Sequence, residues 1–137
     1  MLKAQIDCPK IETETKIYNN TADTLISIVF KRDPAYKIKI ISKKYIFNSL
    51  PDLYSNQKIK KNLRNHWHFT SNGSVWINIE PLYCKDDTVI VETEIRSKEN
   101  GQIFNWENSS RKTLRFIYDS TLNTYILSEI IDWIQLR

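Results

Sequence analysis

"RKTLRFIYDSTLNTYILSEIIDWIQL", residues 111–136, carries the reading on which the fold turns. Leu114, Phe116 and Tyr118 recur at every second position, the period of a strand whose alternate side chains share a face. Asp119 to Asn123 is polar and turn-like, and an apolar run rich in β-branched and aromatic residues resumes at Thr124. Two such runs about a short polar connection predict an antiparallel hairpin. In the second run, alternation sets Tyr125, Leu127, Ile131 and Trp133 on one face and Ile126, Ile130, Ile134 and Leu136 on the other. One face must cover the protein's own core. The other, left in water, would form a larger apolar patch than soluble monomers usually expose.

Working towards the N-terminus, the same period recurs. DTVIVETEI, residues 87–95, sets Val89, Val91 and Ile95 against Glu92 and Glu94, and SVWINIEPLY, residues 74–83, sets Val75, Ile77 and Ile79 against Trp76, Asn78 and Glu80. Lys85-Asp86-Asp87 is the turn between them. Four extended segments in succession predict an antiparallel meander with one buried face. Ahead of it, Ile17, Thr21, Leu25, Ile28 and Val29 stand at helical spacing between Glu12 and Phe30. TLISIVF and AYKIKII also alternate as two strands of a hairpin would, so residues 24–41 stay open between helix and hairpin. Asp33-Pro34 suits a helix start, and Ser49 to Arg64, with Leu50, Leu53, Tyr54, Ile59 and Leu63, reads as a further helix. Helices first and a sheet last predict an α+β fold: N-terminal helices on a curved antiparallel meander of four or more strands. With two glycines, four prolines and no linker or repeat in 137 residues, the chain reads as one domain, 1–137.

The net charge of +4 is unevenly spread. Residues 31–64 hold ten basic side chains against Asp33 and Asp52, a local balance of +8 that leaves −4 to the rest. A basic face of Lys37, Lys39, Lys43, Lys44, Lys58, Lys60, Lys61 and Arg64 suits nucleic acid or another acidic partner. It also suits a solvated lysine-rich surface, and that reading is preferred because no RNA- or DNA-binding signature accompanies the charge. No apolar run reaches the length that spans a bilayer, and MLKAQIDCPK lacks the apolar core of a secretory signal. Cys8 and Cys84 form no CxxC pair, which points to unpaired thiols and a reducing compartment, cytoplasm or organelle stroma. A disulfide between them is the lesser alternative.

Helix, aromatic pair and closing meander resemble the NTF2-like superfamily. The stretch NHWHF, the strands V-x-I and TVIVETEI, and the final RFIYDSTLNTYILSEIIDW are similar to the IMS-type domain of cyanobacterial and plastid division scaffold proteins, as is FNSLPDLYSNQKI to its short leucine-bearing helices. The alanine-rich first helix and the glycine–histidine turn of that family have no counterpart here. The resemblance implies a cone-shaped fold and a non-catalytic assembly role.

Candidate sites follow. His66 and His68, the chain's two histidines, flank Trp67; they could share a face as metal ligands, with Cys84, Asp86 or Asp87 as a third only in a favourable strand register, and the expectation is a helix-to-strand junction with Trp67 buried and no metal. Among Glu92, Glu94, Asp119, Glu129 and Asp132, Asp132 is the best candidate for an inward carboxylate, and the expectation for it is an edge or exposed place on the last strand. No catalytic set assembles and no cofactor is expected. The leading expectation is a protein-binding module or homodimer that docks through its sheet face or cone mouth, with Trp76, Phe116, Tyr125 and Trp133 in contact. The alternatives are a small-molecule-binding or acid–base pocket of the NTF2-like kind, and a basic-face nucleic-acid binder.

Overall fold

The computed structural model describes residues 11–32, 37–42, 60–62, 74–99, 102–105 and 111–133. One helix, α1 (Ile11–Arg32), precedes eight strands: β1 (Lys37–Ile41), β2 (Lys60–Asn62), β3 (Ser74–Ile79), β4 (Tyr83–Lys85), β5 (Thr88–Glu99), β6 (Gln102–Asn105), β7 (Arg111–Asp119) and β8 (Thr124–Trp133). They form a mixed, open sheet in the order β2-β1-β3-β5-β7-β8, with β4 and β6 paired to β5. The fold is α+β, as the sequence leads one to expect.

The helical reading prevails over the hairpin because α1 closes a stripe. Ile17, Tyr18, Thr21, Ala22, Leu25, Ile26 and Val29 are all buried, while Lys16, Asp23, Ser27 and Lys31 face water. Spacing of three and four residues is the helical period. The stripe packs on Ile38 and Ile40 of β1, Val75, Ile77 and Ile79 of β3, Val89, Val91 and Ile95 of β5, and Leu114 and Phe116 of β7. Tyr18 also accepts a hydrogen bond at its hydroxyl from the Leu82 amide, at 2.8 Å, which ties the helix to the β3–β4 connection.

Two expectations are corrected here. AYKIKII supplies a strand, β1, that runs parallel to both β2 and β3, with Ile38 opposite Val75 and Ile40 opposite Ile77. The proposed second helix does not extend to Arg64, since Lys60–Asn62 is β2, hydrogen-bonded to β1. Lys60 and Lys61 supply no apolar helical stripe, and a parallel neighbour satisfies their backbone groups instead. The remainder of that helix, residues 49–59 and 63–64, lies outside the described residues, as do Asp33 and Pro34.

The meander is present as expected, with β3–β5, β5–β7 and β7–β8 antiparallel. Asp86 and Asp87 take left-handed backbone angles, φ 49° and 64°, in the two-residue turn from β4 to β5; aspartate tolerates that conformation better than bulkier residues do. Asp119 accepts the amides of Thr121 and Leu122, at 2.8 and 3.0 Å, and so shapes the turn from β7 to β8. Between Arg115–Glu129 and Phe116–Leu127 the ladder skips Ser128, a β-bulge. Cys84 is disulfide-bonded, and no free cysteine stands among the described residues. The expectation of a reduced thiol at position 84 therefore fails; the one other cysteine in the sequence, Cys8, lies outside the described residues.

Candidate functional site

Period two gives the sheet a second face, turned away from α1. Across it the register aligns Trp76 with Arg96, Asn78 with Glu94, Glu94 with Arg111, and Arg111 with Trp133. Where β5, β7 and β8 meet, this face is hollowed into a half-open groove of about 840 Å³, lined among others by Asn78, Glu80, Glu92, Glu94, Arg111 and Trp133. Glu92 and Glu94 look outward, opposite Val91 and Ile95, as their alternation predicts.

Each carboxylate of the groove has a neighbour to hold it. Asn78 Nδ2 donates to Glu80 Oε1 at 2.7 Å, and the Tyr83 hydroxyl donates to Glu92 Oε1 at 3.2 Å. Arg96 grips Glu94 Oε1 through Nε at 2.8 Å and Nη2 at 2.7 Å. The Tyr83 phenol is held above its ordinary range near pH 10, first by partial burial and then by the charge and hydrogen bond of Glu92. At the rim the Trp133 indole, 56% exposed, donates from Nε1 to Thr113 Oγ1 at 2.7 Å. A large aromatic surface is thus fixed in orientation while one face meets water.

The four contact residues expected from the sequence do not share this surface. Phe116 is fully buried under α1, and Trp76, on the groove side, is 1% exposed. Neither stands at the surface of the protomer. Tyr125 packs against the core cluster and meets Tyr118 edge to face, with ring centroids 5.5 Å apart. Trp133 alone lines the groove. Tyr125 and Trp133 point to opposite faces because the bulge at Ser128 reverses the alternation halfway along β8. Asp132 falls on the helix side, half exposed, and its Oδ1 lies 2.6 Å from Lys112 Nζ; that ion pair, with the Lys112 side chain 9% exposed, gives no sign from the sequence spacing.

Of the basic face, β1 and β2 bring Lys39 beside Lys60, with Lys61 next along and Lys37 at the start of β1. Lys43, Lys44, Lys58 and Arg64 lie outside the described residues, and so do His66 and His68. Among the described residues no group of three histidine, cysteine or acidic side chains is placed to hold a metal ion. No described helix is long and apolar enough to cross a membrane. Comparison with known proteins finds no matching family model, no matching curated protein and no matching solved structure.

Proposed function

We propose that this chain is a non-catalytic protein-binding module that docks a partner on the open face of its sheet, in the groove beside Trp133. One observation carries the reading: a half-exposed tryptophan, held by Thr113, at the rim of a groove of about 840 Å³. Fixed Trp side chains beside polar groups are favoured as anchors in interfaces, since little side-chain freedom remains to be lost on binding. Glu80, Glu92 and Glu94 each accept from a neighbouring side chain, which fixes them as oriented polar groups beside the apolar anchor. The order of one long helix ahead of a sheet that ends in an antiparallel meander supports the NTF2-like reading of the architecture.

The test is capture from the source cell on immobilised protein, wild type against two variants. Trp133→Ala should release the partner, with affinity reduced about 30-fold or more, the usual scale for an aromatic anchor. Leu122→Ala, in the exposed turn after β7, should not. A partner held equally by all three proteins would place its contact elsewhere and overturn the groove reading.

A further inference from the structure

Among the described residues β8 is hydrogen-bonded on one side only, to β7, and so ends the sheet with a ten-residue row of backbone groups. Edges left in water are ordinarily blunted by lysine, proline or brevity. β8 has none of these. Its sequence, TYILSEIIDW, contains no Lys, Arg or Pro, and its two acids are taken by β7, Glu129 by Arg115 and Asp132 by Lys112. Ile126 and Ile131 are half-buried and Ile130 is 36% exposed, so apolar surface follows the edge.

A bulge often turns an edge away, but here its position has a second effect. Ser128 stands outside the ladder, so residues equidistant from the Ser128–Glu129 junction share a face. Leu127 and Ile130 oppose Phe116 and Leu114 on the helix side; Ile126 and Ile131 oppose Ile117 and Thr113 on the groove side. Next outward come Tyr125 and Asp132 on the helix side, then Thr124 and Trp133 on the groove side. Antiparallel strands related by a two-fold axis normal to the sheet must oppose like face to like face. The register that meets this rule along the full strand is centred on that junction.

We propose that β8 is a homodimerisation edge, to which a second copy of this chain adds its own β8 antiparallel, continuing the sheet. Ile126 then meets Ile131 of the copy, Leu127 meets Ile130, and Tyr125 brings its phenol to Asp132. Near the axis two Arg115–Glu129 pairs form a neutral quartet, so the contact brings no uncompensated charge with it. Both grooves open on one side, each Trp133 beside Thr124 of the other copy. This goes beyond groove docking, because it uses the strand's edge and not the groove floor.

Sedimentation velocity across the micromolar range tests it. The wild type should approach twice the 16.3 kDa of the chain as concentration rises. Ile126→Lys with Ile131→Lys, and Ile126→Glu with Ile131→Glu, should each be monomeric alone and form a mixed dimer when combined. At exposed Ser128, which meets Glu129 of the copy, Ser128→Glu should weaken the dimer roughly tenfold and Ser128→Lys should not, the contact being made twice by symmetry. A wild type monomeric throughout, charge variants that still dimerise alone, or folded variants that fail to combine would each overturn the proposal. Should circular dichroism show the double variants unfolded, the Ser128 pair decides: equal dimer constants for Glu and Lys would overturn it.

Discussion

Trp133 shows how much a single side chain depends on one polar contact. Thr113→Val removes the acceptor of its indole proton while keeping shape. Stability should fall by about 1 kcal/mol, and the Trp133 emission should broaden as the ring explores other rotamers, measured by fluorescence in a protein whose other tryptophans are replaced. Glu14 on α1 is the opposite case, a carboxyl whose pKa is raised from 4.5 by burial. A carboxyl with a raised folded-state pKa favours folding while protonated and loses that contribution as pH climbs through the folded value. Glu14→Gln should therefore raise the melting temperature slightly at pH 7, and the difference should vanish below the ordinary carboxyl range. A variant that melts lower at pH 7 would contradict this. Tyr83 follows the same sign at the other end of the scale: its share of stability is intact below the ordinary tyrosine range near pH 10 and is lost above it. At this scale the sequence was legible where alternation alone decides. The outward Glu92 and Glu94 follow from it, whereas the half-exposed Asp132 follows from the rule that aspartate is seldom buried without a partner. Burial of Trp76 does not, because period two names a face without saying what covers it.

Elements were legible in proportion to their length and regularity. The strands β3, β5 and β7 each carry at least six alternating residues, β8 a ten-residue run rich in apolar side chains, and α1 a stripe of more than three turns from Ile17 to Val29, whereas β2, β4 and β6 have three or four residues and no period to detect. Residues 24–41 were ambiguous because their apolar residues suit both a helix and a hairpin, and the parallel partner that β1 takes instead, distant in sequence, leaves no local mark. The bulge was illegible for a related reason: in a strand with large apolar residues on both faces, an extra residue leaves no break in the pattern. Its role can be checked by deletion. Removing Ser128 should leave a regular ladder with the same residues inward, at less than about 2 kcal/mol. Removing Ile126 instead forces Leu127 or Tyr125 off the core face, and should cost about 3 kcal/mol or more in chemical denaturation. Equal costs would mean that the bulge does not set the faces of β8. On the same strand, Asp132→Asn leaves the nearly buried Lys112 without its counter-charge. A loss of about 1–2 kcal/mol is expected, less than for a fully buried pair because Asp132 is half exposed, and Lys112→Met in addition should recover most of it.

For the whole molecule, β5 is the organiser, pairing with β3 and β4 along one side and β7 and β6 along the other. Its amides should exchange slowest with deuterium, ahead of those of the edge strand β8. The disulfide at Cys84 removes the argument from free thiols for a reducing compartment. Reduction should lower stability by about 2–4 kcal/mol in a reversible denaturant titration; no change would show that the bridge does not constrain the unfolded chain.

The order of parts along the chain has a consequence for synthesis. α1 leaves the ribosome ahead of the sheet, yet the strands that receive Ile17, Leu25 and Val29 come from residues 38–40, 75–79, 89–95 and 114–116. β1 must likewise wait for β3 to complete its parallel ladder. A helix whose apolar stripe has nothing to rest on, and a strand whose partner is still unmade, are both sticky in a nascent chain. The hairpins β4–β5 and β7–β8 close locally and quickly, while the long-range joins close last. Folding should therefore run from the C-terminal half backwards onto the N-terminal half, which makes the waiting helix the segment a nascent-chain chaperone is expected to meet.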